Sequence, residues 1–110
     1  MTLKDFVCID VIPNFHQNHK FLLKEINNDL SQFSWHSNEN DSQGRYIRGT
    51  NENNISIELW LDEQPVAISI SFRQERYSKL SKIDIDNRRS MIVKNILEFA
   101  NKNIGHARII

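Results

Sequence analysis

A single cysteine, Cys8, is the only thiol in this chain, so no disulfide can close within it and nothing asks for an oxidising compartment. Glycine is scarce too, with three residues at positions 44, 49 and 105. None belongs to a P-loop or a GxGxxG turn, and the HExxH and CxxC templates are also missing. No stretch approaches the roughly 18 apolar residues of a membrane helix. The opening Met1-Thr2-Leu3-Lys4-Asp5 carries an acid where a secretory signal needs a basic then apolar run, so the expected location is the cytoplasm. Neither sign of charge is in excess: 14 Lys+Arg meet 14 Asp+Glu. A hydrophobic fraction of 39% with 25% charged residues excludes a disordered polyampholyte and a membrane protein.

The 110 residues make one domain, 1–110, by length. Isoleucine (15) and asparagine (13) are abundant, as AT-rich coding produces, so the asparagine excess carries no functional reading. Phe6 to Ile12 is short, β-branched and stopped by Pro13, which predicts a strand covered on both faces or lying beside a helix. From Asn14 to Phe33, the residues Phe15, Leu22, Leu23, Ile26, Leu30 and Phe33 recur at helical spacing, with Asn14 as N-cap. Two short strands are expected around Trp35 and around Arg45 to Arg48.

The strongest pattern runs from Ile55 to Arg73. Ile55, Ile57, Leu59 and Leu61 alternate with polar residues, then Val66, Ile68, Ile70 and Phe72 do the same. A hairpin pairing Leu61 with Val66, Leu59 with Ile68, Ile57 with Ile70 and Ile55 with Phe72 puts all eight on one face. A one-residue slip would send one set into water. The other face pairs Trp60 with Ala67, Glu58 with Ser69 and Ser56 with Ser71. Lys82 to Asp86 alternates like a strand but also offers helix caps. A second helix is expected from Asp86 to about Asn103, with Ile92, Ile96 and Phe99 inward and Gly105 as a left-handed C-terminal residue. The fold class is α+β: two helices on an antiparallel sheet, in the order β-α-β-β-β-β-α.

Residues able to carry chemistry are scattered. His16 and His19 are three apart, but no third metal ligand stands near. Cys8 reads as a buried small apolar residue. Asp10 reads as a strand-end acid bonded to the start of the first helix. Asp84 and Asp86 read as caps, with Asp84 paired to Arg88. No catalytic residue, metal or cofactor is therefore expected, and the chain does not read as an enzyme. Trp60 has two readings: the second helix covers and buries it, or it is the aromatic anchor of a binding surface. Trp35 lacks a register and stands equally open.

Charge is unevenly spread. Residues 25–63 carry a net charge of −6 and residues 73–94 a net of +4. With its size, composition, lack of catalytic motif and acidic, aromatic-bearing stretch from Trp35 to Glu63, the chain resembles the small immunity proteins of bacterial toxin–immunity systems, such as those guarding against contact-dependent growth inhibition. The resemblance implies a specific complex with a cognate protein toxin, a nuclease among the candidates, whose active site or substrate surface the chain occludes. On the charge pattern, the expected partner-binding residues are Glu39, Asp41, Glu52, Glu58, Trp60, Asp62 and Glu63. Two other classes stay open: a phage-encoded inhibitor of host defence, and a small nucleic-acid-binding domain using the basic segment with Arg73, Arg76, Lys79, Lys82, Arg88 and Arg89. The neutral charge and the single Tyr77 among those bases weigh against the last, and no membrane partner is expected.

Overall fold

The computed structural model describes residues 5–14, 18–40, 42, 44–53, 55–72 and 82–110. The elements are β1 (Phe6–Pro13), α1 (His19–Asp29), β2 (Ser34–Asn40), β3 (Gly44–Thr50), β4 (Ser56–Trp60), β5 (Val66–Ser71), α2 (Lys82–Asn103) and β6 (Gly105–Ile109). The strands form one antiparallel sheet in the order β2-β3-β4-β5-β1-β6. This is the expected α+β arrangement, with the C-terminal tail adding a sixth strand at the edge. No helix among the described residues is long and apolar enough to cross a membrane.

The β4–β5 hairpin has the register that the alternation demands: Ile57 faces Ile70, Leu59 faces Ile68 and Trp60 faces Ala67. Its apolar face joins Val7, Ile9 and Val11 of β1 and Ile47 of β3 in a single core with Leu22, Ile26, Ile92, Val93, Ile96, Phe99 and Ala100 of the helices. Both helices thus cover the same face of the sheet.

Several local expectations are corrected. Helix α1 starts after Asn18, whose side chain accepts the Phe21 N–H at 3.0 Å, and not at Asn14. Asn14 instead donates its N–H to the Ile104 carbonyl (3.0 Å), prolonging the β1–β6 ladder. Leu30 and Phe33 fit the apolar stripe yet lie beyond the helix end, because the chain still turns them into the core. The Leu30 carbonyl, left over by the helix, accepts the Trp35 Nε1–H at 2.9 Å. Helix α2 begins at Lys82, with Asp84 in its first turn, where the helix dipole favours an acid. Gly105 is not left-handed: Gly44 is the one glycine with positive φ, at 85°. Gly105 is required because a Cβ there would run into the Ile12 carbonyl and lie 2.8 Å from Pro13 Cα.

Of the two readings of β1, the strand beside a helix holds and the strand covered on both faces does not. Val7, Ile9 and Val11 are buried, whereas Phe6 and Ile12 are 47% and 56% exposed and Cys8 is exposed beside them. The expectation of a buried Cys8 fails because its parity places it on the face opposite the helices. Asp10 shares that face, between Ala67 and Arg108 in register, and so does not reach α1.

Candidate interaction surface

The sheet face turned away from the helices is a platform that no described helix or strand covers. Parity assigns its side chains. Phe6, Cys8, Asp10 and Ile12 come from β1; Ser34, His36 and Asn38 from β2; Tyr46, Arg48 and Thr50 from β3. Strands β4, β5 and β6 add Ser56, Glu58, Trp60, Ala67, Ser69, Ser71, His106 and Arg108. Tyr46 and Trp60 are directly opposite one another and stack, with ring centroids 4.2 Å apart and planes 25° from parallel. Such a pair contributes about 0.5–1.5 kcal/mol beyond the area it buries. One row along, Arg48 Nε lies 3.9 Å from Glu58 Oε2.

The described part of this face has no lysine. Lys20 and Lys24 lie on α1, and Lys94 and Lys102 on α2. Aromatic residues and arginine are enriched at the buried centre of protein interfaces, where lysine is depleted. The four serines, Ala67, Asp10 and Glu58 of the same face are of types depleted there, so the interface character is confined to the Tyr46–Trp60 stack and its arginine neighbour. Six strands spaced about 4.8 Å apart and five to eight residues long span about 500–700 Å² in projection. That approaches the ~800 Å² per partner of a standard complex.

The acidic residues behave differently from their tally. Asp62, in the β4–β5 turn, accepts the Arg45 backbone N–H at 2.9 Å and faces Arg45 Nε at 3.4 Å and His19 Nε2 at 3.7 Å. Gly44 makes room for it, since a Cβ there would sit 2.7 Å from Asp62 Oδ2. The Arg45 N–H bond holds the Asp62 carboxyl below its ordinary value of 3.8; partial burial opposes this, and the Arg45 guanidinium and His19 add to it. A depressed carboxyl contributes stability that is fully present above its unfolded value and is lost as pH falls through the folded one. Asp62→Asn should therefore be less stable than wild type at pH 6, by under about 1 kcal/mol at this exposed site. Urea unfolding at pH 6 and pH 3 should show that gap closing at the lower pH.

Glu39 is exposed on β2 opposite Arg45, and Glu63 follows Asp62 at the same end of the sheet. Glu52 lies in the β3–β4 turn at the other end, and Glu58 is engaged by Arg48. Asp41 lies outside the described residues. The expected residues thus do not form one acidic patch: Arg45 and Arg48, the two bases of that stretch, each sit against one of its acids. What sequence reasoning missed is Tyr46, together with Phe6, Cys8 and Ile12. The alternation around Tyr46 was visible, but nothing in the sequence gave the β3–β4 register.

On the basic segment, Arg73, Arg76, Tyr77 and Lys79 lie outside the described residues, as does the Lys82 side chain. Arg89 is buried: its Nη1 lies 3.1 Å from Asp5 Oδ1 and its guanidinium 4.8 Å from the Phe72 ring centre. It braces the start of α2 against the sheet and is not a solvated base. Burial, then the charge of Arg89, pulls Arg88 below its ordinary value. Among the described residues no three His, Cys, Asp or Glu side chains are placed to share a metal ion; His16 lies outside them. The chain matches no protein-family model and no curated protein.

Proposed function

We propose that this chain is a binding protein that neutralises a cognate bacterial toxin by laying its open sheet face over the toxin's active site or substrate surface. The observation that carries the reading is the sheet face that no described helix or strand covers and that holds no lysine among the described residues, with the Tyr46–Trp60 stack at one end of the β3–β4 pair. The resemblance to immunity proteins supplies the class of partner. Charge at the rim of such a complex acts on association rate more than on affinity. Glu39, by strand parity, and Asp62, through its contacts to Arg45 and His19, lie on the helix side at the β2–β3 and β4–β5 end, so they act at the periphery and not on the open face itself. Catalysis has no part in this function.

The test uses the purified product of the open reading frame immediately upstream, the neighbour that a toxin–immunity reading points to. Trp60→Ala should weaken that complex by about 2 kcal/mol or more, about 30-fold in Kd. Losing the stack should lower the chain's own stability by only about 1 kcal/mol. Calorimetric unfolding and binding kinetics on the same variant separate the two effects. Unchanged affinity in a folded Trp60→Ala chain would overturn the assignment of this face.

A further inference from the structure

The two edges of the sheet are treated differently. In β6, the Ile110 N–H donates to the Cys8 carbonyl at 3.0 Å, so even-numbered residues face β1 and odd-numbered ones face out. The central outward N–H, that of Ala107, is taken by the Asn101 side chain of α2 at 3.0 Å. This edge is short and capped.

Parity also fixes the other edge. Arg45 N–H donates to Asp62 beside β4, and Asn51 N–H to the Ile55 carbonyl at 3.2 Å, so odd-numbered residues of β3 face β4. Tyr46 faces Asn38 in register, so the even-numbered residues of β2 bond to β3. The N–H and C=O groups of Trp35, Ser37 and Glu39 therefore point away from the sheet. No group among the described residues caps them. The strand has no proline and no lysine, and its pairing with β3 runs one to one from Ser34 to Asn40 without a bulge. Proline, lysine and bulges are among the guards of an exposed edge, and β2 has none of the three; its single formal charge is Glu39 near one end.

We infer that β2 is a strand-addition site, completed by an extended segment of the protein partner that covers the open face. The inference rests on the proposed function. Alternating donors and acceptors about 6.8 Å apart match only another extended polypeptide. A second copy of this chain does not satisfy the surface. Pairing β2 with its own copy would place the two open faces side by side in one continuous sheet, leaving both Tyr46–Trp60 stacks bare. It would also rest on three residues per chain, far below the roughly 1,000 Å² of a stable interface. A different protein can overhang the edge, add a strand to β2 and lie on the face that begins with His36 and Asn38 of β2 and continues to Tyr46 on the next strand.

The experiment is Ser37→Pro, measured against the upstream product with Asn38→Pro as control. Ser37 is exposed and its N–H makes no bond to β3, so proline is tolerated there; at Asn38 it removes a ladder bond. Ser37→Pro should fold with near wild-type stability and bind about tenfold or more weakly. Amide exchange on the unmodified chain supplies a second readout. Ser37 and Glu39 should exchange fast in the free protein and slowly in the complex, while His36 and Asn38 stay slow in both. A complex weakened by Trp60→Ala but indifferent to Ser37→Pro, with Ser37 and Glu39 still fast, overturns the inference and leaves the proposed function standing. No complex with wild type overturns both. Protection of Ser37 and Glu39 in the chain alone, with a dimer in sedimentation that Ser37→Pro dissolves, assigns the edge to a second copy and overturns the inference.

Discussion

Trp35→Ala should lower the stability of the chain by about 3–5 kcal/mol, the range for removing a buried aromatic side chain. The indole is 5% exposed, lies 5.6 Å from Phe33 between ring centres, and covers Gly49 so closely that a Cβ on that glycine would overlap it. Its Nε1–H also closes the end of α1 through the Leu30 carbonyl. The substitution opens a cavity under β2 and β3 and strips the helix end of a partner at once. Urea unfolding should show a lower midpoint with an unchanged slope. Trp35→Phe should recover much of the packing and none of the hydrogen bond. A loss below about 1 kcal/mol for Trp35→Ala would mean that the β2 end of the core is not packed as described.

The two tryptophans show how far the sequence could be read. The register of the β4–β5 hairpin was legible, because an unbroken apolar alternation on both strands admits only one; the ladder itself stops short of the expected end pairs Leu61–Val66 and Ile55–Phe72. From that register Trp60 follows onto the polar face. That the face is open required knowing where the helices lie, which the hairpin alone does not say. Trp35 could not be placed, since β2 has one buried residue among polar ones and its pairing depends on Gly49, a residue without a side chain to mark a face. Charge counting misled for a related reason. The described acids of residues 25–63 are dispersed over α1, the body of β4 and two ends of the sheet, and Arg45 and Arg48 meet two of them, Asp62 and Glu58, where no linear tally looks. Arg89 counted as a surface base because nothing local announces that Asp5, 84 positions earlier, lies beside it.

Gly105→Ala should uncouple the last strand. The glycine pairs with Pro13, and an added Cβ would meet backbone on every near side: the Ile12 carbonyl, Pro13 Cα and Asn14 N, the last two at 2.8 Å. Backbone atoms in a ladder cannot rotate aside as a side chain can, so relief requires β6 to move away from β1. That movement would break the Asn14 N–H to Ile104 carbonyl bond and disturb the end of α2, where Ile104 and Asn103 are buried. The expected loss is about 3 kcal/mol, at the upper end of overpacking costs. The signature is regional. Amides of His106, Arg108 and Ile110, which bond to β1, should lose exchange protection, while those of Ile57 and Leu59 in the centre of the sheet should keep theirs relative to global stability. If Gly105 served as a left-handed helix terminator, Gly105→Asn would be well tolerated, since asparagine adopts that conformation readily. With φ outside that region and backbone against the Cβ position, Gly105→Asn should instead be at least as damaging as alanine. Comparing the two variants by urea midpoint decides between a conformational and a steric requirement at this position.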